Sequence, residues 1–302
     1  MILLLIMNKI ILDSLRSHLL DRVNLEALPE SIWKRSSALN TWGTNAIEGN
    51  TITQKEAENL IFKERSVANR SVREVLETVQ HEKAFRALLL RKNEEITLNT
   101  VLELHEDVFR GILYDAGQWR RVNVRIVGAR FTPPRMEKVV PEMSTWLEEY
   151  RRRDIEGADP IELAAWMHFQ FEHVHPLSDG NGRVGRLLLN LHMLKHNWPP
   201  VHILPITRKE YLSALEAGET DLSTLVRLLE KLLASSILDL LDQVGTKDDE
   251  LISLKNVAYF AGHSEKYLAL RCKQGELPGV QTSKAWKTSR RAIEIYAKNV
   301  GR

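Results

Sequence analysis

The 302-residue chain reads as an all-α protein that carries one short β-hairpin and ends in a small basic module. Three observations predict this. Apolar residues recur at three- and four-residue spacings through most of the chain, the signature of helices with one buried face. A single stretch, VNVRIVGARFTPP at 122–134, instead alternates β-branched and polar residues around a glycine and ends in two prolines. Finally, residues 251–302 hold ten Lys/Arg against three Asp/Glu, a balance of +7, whereas the whole chain carries only +2.

Taken in order, the opening MILLLIM is apolar but has no basic leader and is too short to span a bilayer. It reaches Lys9 and Asp13 quickly, so it is read as a packed or fraying first segment, with Met7 as an alternative start and no membrane partner. Helical periodicity then marks 31–39, 53–62, 72–90, 97–109, 137–153, 160–173 and 183–196. Thr53 opens TQKE as a capping box, Asp159-Pro160 fits an N-cap followed by N1, and Trp198-Pro199-Pro200 stops a helix. A further helical set over 209–243 is followed by GTKDDE, a linker composition, and a new unit begins near Leu251. The resulting division is 1–95, 96–245 and 251–302. A single cysteine, Cys272, excludes an internal disulfide framework and a cysteine metal knuckle, which fits a reducing cytoplasm. No internal repeat or low-complexity tract is present.

Chemistry concentrates in HPLSDGNGRVGR, residues 175–186, lying between two periodic helices. Gly180 and Gly182 flank Asn181 and let main-chain amides turn inward, and the following helix puts its positive end at the same point: an anion cradle. Arg183 and Arg186 are three apart and share one face of the first turn, within reach of a ligand's phosphates. Asp179 is the carboxylate placed to hold Mg²⁺ against phosphate oxygens. His175 ends the preceding helix and suits a general base near neutral pH. Each part alone has an ordinary explanation as a turn, a cap or a surface pair; twelve residues holding all of them do not. A P-loop is excluded because no Lys-Ser/Thr follows the second glycine, and a dinucleotide fold because the loop joins helix to helix.

This segment resembles the signature of the Fic family, with Leu177 in place of the usual phenylalanine at a buried packing position. The resemblance implies a protein adenylyltransferase using ATP and Mg²⁺. His175 would deprotonate a Ser, Thr or Tyr hydroxyl of a target protein, the chain itself included. Asp179 would hold Mg²⁺, Gly180, Asn181 and Gly182 would form the anion hole, and Arg183 and Arg186 would hold the β- and γ-phosphates. It also gives the hairpin a purpose as the flap that docks the target's segment by main-chain pairing. Its residues would be Ile126, Val127, Gly128, Ala129, Arg130, Phe131 and Thr132, with Val127 and Phe131 as apolar contacts.

Upstream, Thr44-Asn45-Ala46-Ile47-Glu48-Gly49 is similar to the family's inhibitory motif. By that resemblance Glu48 would pair with Arg186 and displace the γ-phosphate, and in some relatives the same glutamate orients water for removal of AMP. Without the resemblance, Glu48-Gly49 reads as a helix end with glycine at its C-cap.

From Leu251 the sequence predicts two helices joined at Gly262-His263-Ser264, then a wing, then a last helix: a winged helix-turn-helix. It resembles the excisionase-type DNA-binding domain, through Gly275-Glu276-Leu277-Pro278 and Trp286. Lys266, Arg271, Lys273, Lys284 and Lys287 are candidate phosphate contacts to DNA; a protein-binding or purely structural module is the alternative. For the whole chain, two readings stand beside self-inhibited AMP transfer: a deAMPylase or transferase of another nucleotide group, and a nucleotide-sensing DNA-binding regulator, against which an intact His175 argues. A homodimer is the family expectation.

Overall fold

The computed structural model describes residues 2–126, 131–282 and 285–300. Thirteen helices and three short strands occur among them: α1 (Ile2–Leu20), α2 (Glu30–Ile47), α3 (Gln54–Lys63), α4 (Val72–Arg91), α5 (Leu98–Phe109), α6 (Val139–Ile155), α7 (Pro160–Val174), α8 (Asn181–Lys195), α9 (Arg208–Ala217), α10 (Ser223–Val244), β1 (Ile252–Ser253), α11 (Leu254–Ala261), α12 (Glu265–Gln274), β2 (Val280–Gln281), β3 (Trp286–Thr288) and α13 (Arg290–Val300). They gather into two compact units that ignore chain order: one holds residues 33–197 and 202–225, the other 1–32, 198–201 and 226–302. The first segment therefore groups with the C-terminal part of the chain, whereas the sequence reading joined it to the region carrying Glu48.

The larger unit is built around α8, whose residues from Arg183 to Leu194 are all buried. An all-round buried helix needs partners on every side, and α7, α4 and α5 pack against it. Caps set where these helices begin. The Thr53 hydroxyl accepts from the Glu56 amide (3.3 Å) while the Glu56 carboxylate accepts from the Thr53 amide (2.8 Å). Ser71 and Glu74 repeat this reciprocal pattern at α4, and the Asp159 carboxylate accepts from the Ile161 and Glu162 amides ahead of α7. Each such cap satisfies helix N–H groups that have no intrahelical partner.

The expected hairpin needs correction. None of the described residues 122–126 and 131–134 belongs to a strand, and Val127, Gly128, Ala129 and Arg130 lie outside the described residues. The returning limb contains Pro133 and Pro134, which have no N–H to give a ladder. Side chains hold the limbs instead: the Asn123 side-chain oxygen accepts from the Met136 amide (2.9 Å), and Phe131 stacks on His173 of α7 at 4.4 Å between ring centres.

In the smaller unit α1 packs on α13. This first helix escaped the sequence reading, although Ile11, Leu12, Leu15 and Leu19 stand at helical spacing and are all buried. Its anchor is Asp249, fully buried, whose carboxylate accepts from His18 Nε2 (2.8 Å) and from the amide and hydroxyl of Thr246 (2.8 and 2.9 Å). α11 and α12 follow with the turn 262–264 between them, and the strands form an antiparallel sheet in the order β1-β3-β2, pairing Ile252 with Thr288 and Val280 with Lys287. No helix of the described residues is long and apolar enough to cross a membrane.

Burial pushes the Asp249 carboxyl up, but its bonds to Thr246 and His18 prevail and hold it below its ordinary value. Its contribution to stability is therefore present at neutral pH and lost as pH falls through its folded-state pKa. Asp249→Asn keeps the shape and removes the charge; it is expected to cost about 1.5–3 kcal/mol in urea unfolding followed by tryptophan fluorescence at pH 7.

Candidate active site

The turn between α7 and α8 is fixed by its backbone. His175 closes α7 in the left-handed region, φ +50°, its amide donating to the Phe171 carbonyl at 3.0 Å. Gly180 precedes α8 at φ +83°, and a Cβ there would collide with the Phe109 ring. The two ends are tied by Asn181, whose side-chain oxygen accepts from the Leu177 amide and whose side-chain nitrogen donates to the Leu177 carbonyl, both at 2.9 Å. Leu177 is itself completely buried, so leucine fills the packing position left open by the motif. With its side chain committed to the loop, Asn181 has only its main-chain amide to offer an anion. The amides of residues 181–183 precede the first intrahelical bond, made by the Val184 amide to the Gly180 carbonyl (3.0 Å), and so form the donor end of α8.

The charged groups are organised around that end. Arg186 is buried, and three of its contacts come from one segment: Nε donates to the Thr44 hydroxyl (2.5 Å), and Nη2 donates to the Thr44 carbonyl (3.3 Å) and to Glu48 Oε1 (2.6 Å). Burial raises the Glu48 carboxyl, yet the Arg186 guanidinium beside it prevails and leaves it below the ordinary carboxylate range. Glu48-Gly49 is also a helix end, with Gly49 at φ +93° just past α2. The helix end and the ion pair thus coincide: the end of α2 is what carries the carboxylate to Arg186. Gly182 makes room for it, since a Cβ there would clash with Glu48 Oε1 and with Arg186 Nη1.

Arg183 lies over the Phe109 ring at 4.4 Å and contacts Glu77 Oε1 (3.0 Å) and Asp179 Oδ1 (3.5 Å). Arg73 completes a ring of alternating charge, contacting Asp179 Oδ2 (2.7 Å) and Glu77 Oε1 (2.9 Å). Asp179 also accepts from the Gly180 amide at 2.6 Å. Burial acts to raise its pKa, but Arg183, Arg73 and that amide outweigh it, so the carboxylate stays ionised at neutral pH. Its side chain is 44% exposed. The described residues contain no group of three or more His, Cys, Asp or Glu able to hold a metal unaided.

The His175 imidazole is pushed down to about 4, chiefly by burial. Its Nδ1 lies 3.3 Å from the Glu172 carbonyl, which can only accept, so Nδ1 carries the proton of the neutral ring and the Nε2 lone pair is left to act as a base. Glu172 itself is mostly buried and pushed up to about 8 by burial, with Arg186 opposing; its Oε1 has no hydrogen-bond partner and fills the space left by Gly185.

The structure therefore brings Glu48, His175, Asp179, Gly180, Asn181, Gly182, Arg183 and Arg186 to one place. Of the hairpin residues, Ile126 and Phe131 are half-buried and Thr132 is exposed. Sequence reasoning missed Arg73, Glu77, Glu172 and Arg120. The first three sit on regular helices where their spacing signals only a surface face, and Arg120 stands in a segment with no period at all.

The sequence pattern of the Fic/DOC family matches residues 95–193. Fic-1 of Caenorhabditis elegans, in a solved structure, is 31% identical, with 77% of this chain and 70% of that one superposed at a TM-score of 0.67. The chain belongs to the Fic/DOC family. A Fic family protein of Desulfovibrio desulfuricans, 17% identical, shares the fold over 92% of this chain and 94% of its own at a TM-score of 0.63. Among curated relatives, the protein adenylyltransferase fic-1 of C. elegans is 33% identical over 222 residues, which is 71% of this chain and 43% of the relative. The protein adenylyltransferase Fic of Nematostella vectensis is 30% identical over 193 residues, 62% of this chain and 45% of the relative. The Fic/DOC chain thus spans less than half the length of these curated relatives.

Asn181→Ala removes both bonds to Leu177 and leaves two buried main-chain groups of the turn without partners. The expected cost is about 2 kcal/mol, seen as a lowered unfolding midpoint in urea.

Proposed function

We propose that this chain is a protein adenylyltransferase that transfers AMP from ATP to a Ser, Thr or Tyr hydroxyl of a target protein, and that Glu48 restrains it. One arrangement carries the reading: a neutral, half-buried histidine, an ionised aspartate and the donor end of α8 with two buried arginines, all set by a single turn between α7 and α8. The adenylyltransferase names of the curated relatives support it.

In this reading the target hydroxyl oxygen bonds to the α-phosphorus as the bond to pyrophosphate breaks, and the hydroxyl proton passes to His175 Nε2. The residues at the turn fit Mg²⁺, which takes one or two carboxylates and completes its shell with phosphate oxygens and water: Asp179 is ionised, part-exposed and unaided by other ligands. When bound there, Mg²⁺ would neutralise charge on the phosphates. The α8 amides and Arg183 bind and orient the polyphosphate, and catalysis rests on positioning and charge stabilisation. Arg186, the natural third cation of this set, is held by Glu48 and Thr44. A phosphate oxygen brought to it would meet the Glu48 carboxylate, and that is the restraint.

Transfer of label from α-³²P-ATP to protein tests the reading. Glu48→Gly is expected to label strongly, the unaltered chain weakly, and Glu48→Gly with His175→Ala not at all. Absence of label in every form, alongside release of AMP from a modified target, would replace transfer by removal. In the active variant the acid limb of the rate profile is expected below the ordinary histidine range, since burial holds His175 down to about 4 and the base is lost only when pH falls through that value.

For the C-terminal part, we propose a winged helix-turn-helix that contacts DNA. Support comes from α11 and α12 in succession, the antiparallel β2-β3 pair after them, and exposed Lys266, Lys273 and Lys287. Arg271 is spent internally on Glu276 (2.6 Å), and Lys284 lies outside the described residues. Retention of duplex DNA that weakens steeply with added salt, and is lost in Lys266→Glu with Lys273→Glu, is the expected result.

A further inference from the structure

Arg120 is 2% exposed, yet among the described residues no carboxylate pairs with it, and burial lowers its pKa with no charge opposing. Everything it donates goes to main-chain carbonyls. Nε reaches the His175 carbonyl (2.8 Å), Nη1 that of Val122 (2.9 Å), and Nη2 those of Pro134 (2.5 Å) and Val174 (3.5 Å); its own amide reaches the Pro176 carbonyl (2.9 Å). Three of these acceptors, at 174, 175 and 176, are consecutive and lie where α7 ends. The other two, Val122 and Pro134, are the two roots of the 122–134 segment.

We infer that Arg120 is a positioning residue that couples the 122–134 segment to His175, so that the limbs meant to dock the target and the base meant to act on it move as one piece. The inference rests on the adenylyltransferase reading for its purpose, but the coupling itself stands on geometry. Carbonyls at a helix C-terminus have no intrahelical donors and carry partial negative charge, and a buried cation there answers both needs. A guanidinium alone among side chains presents donors in a rigid planar fork that can serve acceptors on separate segments at once. Displacing either limb would leave the buried cation short of an acceptor, a costly state. The His175 carbonyl is also the anchor of a residue held at φ +50°, so its bond to Nε fixes the backbone that aims the imidazole. Arg120 touches neither Arg183 nor Arg186 nor Asp179, so nucleotide binding should not depend on it.

The test uses Arg120→Lys, which keeps charge and stem but not the fork, and Arg120→Gln, both made in the full chain with Glu48→Gly. Hydrogen exchange is measured over residues 120–126, 131–136 and 174–182, together with affinity for a non-hydrolysable ATP analogue with Mg²⁺ and the rate of label transfer. The expected result is faster exchange in all three stretches, unchanged analogue affinity and transfer reduced about 10- to 100-fold. Faster exchange confined to 174–182 would reduce Arg120 to a cap on α7 and overturn the coupling, as would unchanged exchange or an affinity loss matching the loss of transfer. If Arg120→Gln does not fold, Arg120→Lys decides alone. If the Glu48→Gly parent fails to label, the functional reading falls while the exchange pattern still settles the coupling.

Discussion

A guanidinium buried inside a helix bundle must be given acceptors, and the larger unit is organised by how Arg186 receives them. It sits on α8, the helix buried on every side, and its charge cannot be relieved by solvent. Thr44 and Glu48, at the end of α2, supply a hydroxyl, a carbonyl and a carboxylate. The contact that makes this buried cation tolerable also occupies its donors.

The neighbouring charges follow a related logic at lower stakes. Asp179, Arg73, Glu77 and Arg183 alternate in sign around a partly exposed ring, so none is left unbalanced in the absence of a ligand. Arg183 and Glu77 are buried in this ring, whereas Arg73 and Asp179 are about half exposed; an exposed pair such as Arg73–Asp179 contributes little to stability, typically about 0–1 kcal/mol.

Much of the helical architecture was legible because amphipathic spacing and caps act over a few residues: Thr53 with Glu56 and Asp159 with Pro160 stand where their chemistry predicted, and α4 and α7 run almost as read. The 122–134 segment was misread because alternation of β-branched and polar residues is also what an extended limb needs when it is held by side chains, and the two prolines that argued for a turn also removed ladder donors. α1 was missed although Ile11, Leu12, Leu15 and Leu19 carry a helical period; its partner α13, which no local pattern could indicate, lies at the far end of the chain.

The sequence by itself determined the chemistry of the turn at 175–186. Glycines that permit positive φ, a helix start, and the local spacing of His175, Asp179, Arg183 and Arg186 are all relations within twelve residues, and short-range geometry fixes them. Only the tertiary structure decided what those groups face. It brought Glu48 across 138 residues of chain to Arg186, closed the charge ring with Arg73 from α4, and set Arg120 among carbonyls from three places in the sequence. Such contacts depend on which buried donors and acceptors remain unpaired once the helices have packed, a condition that no local pattern records.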